Sequence, residues 1–203
     1  MADALDVVAI TYDPNTRRVL MATHTATSGP GPTARGLPRI VADASESVES
    51  AVRRALLQVD IEDDPTAVGT LPAPSAQSAP GVPANRTAGL WATFWHSEAI
   101  WTAETRWVPI ERHRSLAFDQ NLTVTAAREM FAEKIWHDQV FTRGLTGVEF
   151  STVDADAISA ALIKDPVEPD ARDRILAGVD GLTRAGECDA AGGPPPPLWR
   201  WTR

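Results

Sequence analysis

Apolar positions in the first third of the chain change period twice. Residues 6–12 (DVVAITY) and 17–22 (RRVLMA) are β-rich runs separated by Asp13, Pro14 and Asn15, which predicts a hairpin. From Glu46 to Val59, Ala51, Val52, Ala55, Leu56 and Val59 recur at spacings of three and four, which places them on one face of a helix. Val124, Ala127, Phe131 and Ile135 give the same stripe over Leu122–Trp136. Between these helices, the run with Leu90, Trp91, Phe94 and Trp95 and the TRWVPI segment are aromatic and β-branched enough for strands. Segments 25–36 and 72–85, rich in Gly, Pro, Ser and Thr, read as loops.

Beyond Trp136 the pattern shortens. Ser151, followed three residues later by Asp154, is helix-opening chemistry, with Ile158, Ala161 and Leu162 as the stripe behind it. Pro169 suits a first helical turn and Gly178 a helix end, so two short helices separated by a DPV break are expected. After a Gly- and Pro-rich excursion from Gly186 to Pro197, LWRWTR alternates Trp199 and Trp201 with Arg200, a final strand with both indoles on one face.

Composition narrows the function classes. A net charge of -8 over 203 residues argues against a chain devoted to polyphosphate backbones. The single cysteine, Cys188, rules out an internal disulfide framework, and a reducing cytoplasmic setting is expected. No stretch approaches the ~18 apolar residues of a membrane span. His24, His96, His113 and His137 show no metal-ligand spacing.

Residues 37–62, LPRIVADASESVESAVRRALLQVDIE, resemble a Nudix box, G-x5-E-x7-R-E-U-x-E-E-x-G-U, where U is bulky and aliphatic. Leu37 and Pro38 stand before it, Glu46 occupies the first glutamate, and Arg54 and Leu56 match the Arg-x-aliphatic step. The resemblance implies a structural Glu46–Arg54 pair. The catalytic half departs: Ile40 replaces the glycine, and Ala55, Gln58 and Val59 replace three glutamates that ordinarily hold Mg²⁺. WVPIERHRSLAFDQNLTVTA (107–126) resembles the segment closing many Nudix domains. The stretch AEKIWHDQVFTRGLTGVEFSTVDADAISAAL is similar to the junction in Nudix-related transcriptional regulators of NAD metabolism, where a long helix runs into a winged helix.

From this resemblance an α/β fold is expected, with a Nudix α/β/α sandwich and mixed sheet over residues 1–137 and a small winged-helix-like domain over 138–203. The family association also implies a homodimer. It further implies a small nucleotide-like ligand such as ADP-ribose, with Arg39, Arg86, Trp91 and Trp95 as candidate ligand residues. Trp91 and Trp95, four apart on a strand, either stack on a base or pack in the core, and large aromatics in strands are more often core. DNA is the other partner implied, with Arg172, Arg174 and Arg200 as its candidate contacts. The segment from Phe141 onward nevertheless has 7 Lys plus Arg against 10 Asp plus Glu, a net charge of -3, which disfavours phosphate binding.

Three readings stay open. One is a catalytically silent sensor related to transcriptional regulators, needing no cofactor. The second is a divergent hydrolase that holds Mg²⁺ through acids outside the box, such as Glu98, Glu104 or Asp119. The third is an accessory protein that does not bind DNA.

Overall fold

The computed structural model describes residues 4–25, 35–41, 43, 45–72, 87–95, 105–116, 120–163, 168–187 and 195–202. The expected hairpin forms from β1 (Ala4–Asp13) and β2 (Arg18–Thr25), registered Asp13 opposite Arg18. Asp13 closes the turn by accepting bonds from the Asn15 N–H and the Thr16 hydroxyl. β3 (Arg35–Gly36) and β7 (Thr105–Pro109) pair with β2, and β4 (Arg39–Val41) pairs with the start of β1. On the other side β1 runs parallel to β6 (Thr87–Phe94), and β6 is antiparallel to β5 (Ala67–Pro72), which forms the edge. The sheet is therefore mixed.

Alternation along β1 feeds two cores. Val7 and Ala9 face α1 (Val48–Leu57), whose Ala51, Val52, Ala55 and Leu56 are buried together with Val59. Val8, Ile10 and Tyr12 face the opposite layer, where α2 (Gln120–Lys134) buries Val124, Ala127 and Phe131 and the turn after it buries Ile135. Both sequence stripes thus become helix faces, on opposite sides of the sheet.

The helix expected over Leu122–Trp136 does not run on into the tail. It ends at Lys134, Trp136 turns with φ 66, and α3 (Gln139–Thr146) starts afresh with Asp138 as its N-cap, accepting from the Phe141 N–H. α3 lies on the first sheet, and its glycine matters there: a Cβ on Gly144 would come within 2.1 Å of the Thr93 hydroxyl. Residues 135–137 form a turn, and α3 beyond it still packs on the first sheet.

The remainder follows the expected order. β8 (Glu149–Ser151), α4 (Thr152–Leu162), α5 (Pro169–Ala177), β9 (Leu182–Glu187) and β10 (Pro197–Trp201) form a helix pair against a three-stranded sheet ordered β8-β10-β9. Ser151 and Asp154 cap α4 reciprocally, Pro169 opens α5 and Gly178 ends it. Trp199 and Trp201 are buried with Arg200 exposed between them, as the alternation required.

One apolar cluster continues from the sandwich into this second part, linking Trp91, Phe131 and Phe141 to Phe150, Ile158, Trp199 and Trp201. Polar bonds cross the same seam. The Tyr12 hydroxyl donates to Asp154 at 2.8 Å, and the Trp136 indole N–H donates to the Ser159 hydroxyl at 2.9 Å. Burial and the carboxylate beside it push the Tyr12 phenol well above its ordinary range, so it stays a donor. Among the described residues no helix is long and apolar enough to cross a membrane.

Candidate functional site

The Leu-Pro step ahead of the helix is held from below. Val7 N–H donates to the Pro38 carbonyl, and Leu37 N–H donates to the Gln120 side chain at the start of α2. Gln120 in turn donates to the buried Asp6 carboxylate at 2.8 Å, on which Arg39 closes at 2.9 Å. Arg39 is thus committed to an acid of β1, with half its side chain exposed.

Ser47 caps α1 by accepting from the Ser50 N–H. Arg54 reaches back one loop to Glu46 through two nitrogens, at 3.1 and 2.6 Å, and also donates to the Val41 carbonyl at 2.9 Å. The Arg54 bonds hold the Glu46 carboxyl below its ordinary range against a smaller opposing effect of desolvation, with help from the Asp43 N–H and the Ser50 hydroxyl. A depressed carboxylate stabilises the fold above its unfolded pKa and loses that contribution as pH falls through the folded value. Glu46→Gln is accordingly expected to lower the melting temperature at neutral pH. Its deficit should close on acidification below about pH 4.3, the ordinary glutamate value. Thermal melts of both proteins across an acid series check it.

At the three positions where the box ordinarily carries metal-binding acids, no carboxylate is present. Ala55 and Val59 are fully packed into the α1 core, 0% and 5% exposed, and Gln58 is an exposed amide at the helix end. Mg²⁺ needs anionic oxygens in a near-octahedral set, and two alkyl groups with one amide do not supply it. No group of three or more His, Cys, Asp or Glu that could hold a metal occurs among the described residues. Glu98, Glu104 and Asp119, the acids considered outside the box, lie outside the described residues, as does Arg86.

Of the candidate ligand residues, the three that are described, Arg39, Trp91 and Trp95, do not converge. Trp91 is 5% exposed and meets Phe131 and Phe141 edge-on, with ring centroids at 6.3 and 5.4 Å, so it is a core residue. Trp95 is 42% exposed and lies across Gly147, where a Cβ would come within 2.2 Å of its ring. Arg39 pairs with Asp6, which is level with Gly89 of β6. Six residues of strand, at about 3.3 Å each, then put Trp95 roughly 20 Å away at the other end of the sheet.

A cleft of about 790 Å³ instead wraps the β5 edge. Glu49 and Arg53 of α1 form one wall; Trp91, Lys134, Asp138 and Val140 form the other. Lys134 sits 5.5 Å from the Trp91 ring centroid and bonds Asp138 at 2.7 Å. Burial works against the Asp138 charge, but the Lys134 bond and the Phe141 N–H outweigh it and lower its pKa. Sequence reasoning missed Lys134 and Asp138. An Asp three residues ahead of Phe141 is itself a helix-start signal that would have exposed α3.

In the tail, each candidate DNA contact already has a partner. Arg172 is only 15% exposed and bonds Asp156 at 2.5 Å and Asp173 at 2.9 Å. Burial opposes its charge, yet those two carboxylates raise its pKa. Arg174 donates to the Asp170 carbonyl, and Arg200 bonds Glu149 at 2.5 Å.

No family model and no curated protein sequence matches the chain. Solved structures do. NrtR from Shewanella oneidensis, crystallised with a 27mer DNA, superposes with a TM-score of 0.71 at 19% identity, covering 100% of this chain and 94% of that one. This is a Nudix fold followed by a winged helix. NrtR crystallised without DNA gives 0.69 over the same coverage, and a MutT/nudix family protein from Enterococcus faecalis gives 0.63 at 14% identity, covering 98% and 87%. At these identities the likeness to NrtR is one of fold.

Proposed function

We propose that this chain is a Nudix-type sensor that binds a nucleotide-like ligand, ADP-ribose being the first to try, without hydrolysing it. The observation that carries the reading is the burial of Ala55 and Val59 within the α1 core, which leaves those two helix positions with no carboxylate to offer a diphosphate-bound metal. The intact Glu46–Arg54 pair and the anchored Leu37–Pro38 step keep the loop ahead of α1 in shape without that chemistry. The likeness to a NrtR crystallised with DNA supports a regulator's ancestry for the tail.

The tail's own electrostatics favour a second reading for DNA. Phosphate contacts draw affinity from free cations that release counterions, and Arg172 and Arg200 are instead neutralised by acids of the same domain. An accessory role without DNA binding fits that arrangement.

Thermal-shift measurements with ADP-ribose, NAD and sugar nucleotides, each with and without Mg²⁺, test the sensor reading, because a ligand that binds only the folded state raises its stability. A raised melting temperature with no mononucleotide released is the expected result. Mg²⁺-dependent turnover that Glu104→Gln abolishes would instead establish the hydrolase. For the tail, duplex binding lost in the Arg172→Ala, Arg174→Ala double variant would establish a DNA reader, and no salt-dependent duplex binding is the result expected of an accessory protein.

A further inference from the structure

We propose that the outward face of α2 carries a second small-molecule site, which binds a free α-amino acid with an apolar side chain. A cleft of about 740 Å³ opens along that face, within the range of roughly 300–1,000 Å³ that such pockets occupy. α2 packs on the opposite side of the sheet from α1, so the sheet separates this cleft from the box helix. His113, on the 3-10 helix Ile110–Ser115, adds a wall beside Thr125 of α2. Leu162, at the end of α4, adds another next to the Ala161 carbonyl that Arg128 holds.

Proton accounting leaves an acceptor in this cleft without a donor. His113 Nδ1 lies 3.1 Å from the Ile110 carbonyl, which can only accept, so in the neutral ring the proton is on Nδ1 and Nε2 keeps its lone pair. The one atom near Nε2 is the Thr125 hydroxyl oxygen, at 3.4 Å, and its single proton goes to the Asn121 carbonyl at 2.8 Å. No proton therefore lies between Nε2 and Thr125. With His113 only 9% exposed, a ligand N–H in the cleft is the donor that this nitrogen lacks.

The charged groups select the rest of the ligand. Arg128 spends one of its five N–H donors on the Ala161 carbonyl at 2.7 Å, and its Nε is buried with no partner. A carboxylate is the group whose two oxygens match a guanidinium with donors to spare. At 3.6 residues per turn, Arg128 falls about 60° to one side of Thr125, and Glu129 and Glu133 about 40° and 80° to the other. Glu129 is engaged within the chain, whereas Glu133 is exposed and carries no bond among the described residues. A plain anion would meet these two carboxylates, and a plain cation would meet the guanidinium. A zwitterion places its carboxylate at Arg128 and its ammonium between His113 Nε2 and Glu133, with an apolar side chain against Ala132 and Leu162.

Isothermal titration calorimetry on the full chain with L-phenylalanine tests the proposal, and one equivalent is expected to bind. Phenylalaninamide, which lacks the carboxylate, and 3-phenylpropionate, which lacks the ammonium, should each bind at least about tenfold more weakly. Arg128→Gln should erase the preference for L-phenylalanine over its amide. Glu133→Gln, at an exposed position, should keep the wild-type melting temperature and weaken L-phenylalanine about tenfold. No binding of L-phenylalanine by the wild-type chain would overturn the proposal. So would equal binding of the three compounds, or an affinity for L-phenylalanine that Glu133→Gln leaves unchanged.

Discussion

Ala55→Glu is expected to destabilise the protein by roughly 3–5 kcal/mol, the cost typical of an uncompensated buried charge. Ala55 has no exposed surface and sits among Val52, Leu56 and the inward residues of β1 and β6. A carboxylate there would find only apolar atoms, and it would either remain protonated or break the packing of α1 on the sheet. Gln58→Glu is the control. It adds the same group at an exposed helix end and should change stability by no more than about 0.5 kcal/mol. Urea titrations of both variants, with and without Mg²⁺, decide the matter. An Ala55→Glu protein as stable as wild type would show that the position is not closed to charge, and one rescued by Mg²⁺ would show that the helix still faces a metal site.

Phe131→Ala should cost about as much, roughly 3–5 kcal/mol, for a different reason. The Phe131 ring is wholly buried between Trp91 and Phe141, 6.3 and 5.1 Å away centroid to centroid, so truncation leaves a void that three elements line and none can readily fill. Because the same cluster continues to Trp199 and Trp201, the loss should be felt beyond the sandwich. Hydrogen exchange of β8–β10 amides should accelerate in the variant, in step with those of β1. A tail whose exchange stayed at the wild-type rate would mean that the two parts hold together independently.

The fold was largely legible because its signals are local. Stripes at 51, 52, 55, 56 and 59 and at 124, 127, 131 and 135 need only the 3.6-residue period, and the Ser151–Asp154 and Pro169–Gly178 ends need only capping chemistry. The helix end near Trp136 was legible, but α3 behind it was not, because eight residues give too short a stripe for Phe141 and Leu145 to stand out as a helix of their own.

The site was less legible because it depends on pairing across distance. Whether Arg39 and Trp95 meet is decided by β1 running parallel to β6, which sends them to opposite ends. Asp173 adjoins Arg172, but Asp156 and Glu149, which also occupy Arg172 and Arg200, lie 16 and 51 residues away in the chain, beyond any motif. The Glu46–Arg54 pair, eight residues apart, could be anticipated only through the box it belongs to.

Asp154 fastens two things at once. One of its oxygens caps α4 through Ser151, and the other accepts the hydrogen bond of the Tyr12 hydroxyl from the central strand of the first sheet. Unseating that single side chain would fray the leading turn of the helix and unhook it from the sandwich in the same motion. The Trp136–Ser159 bond and the shared apolar cluster also span the seam, so it is the opening turn of α4 whose hold on the sandwich rests on those two oxygens.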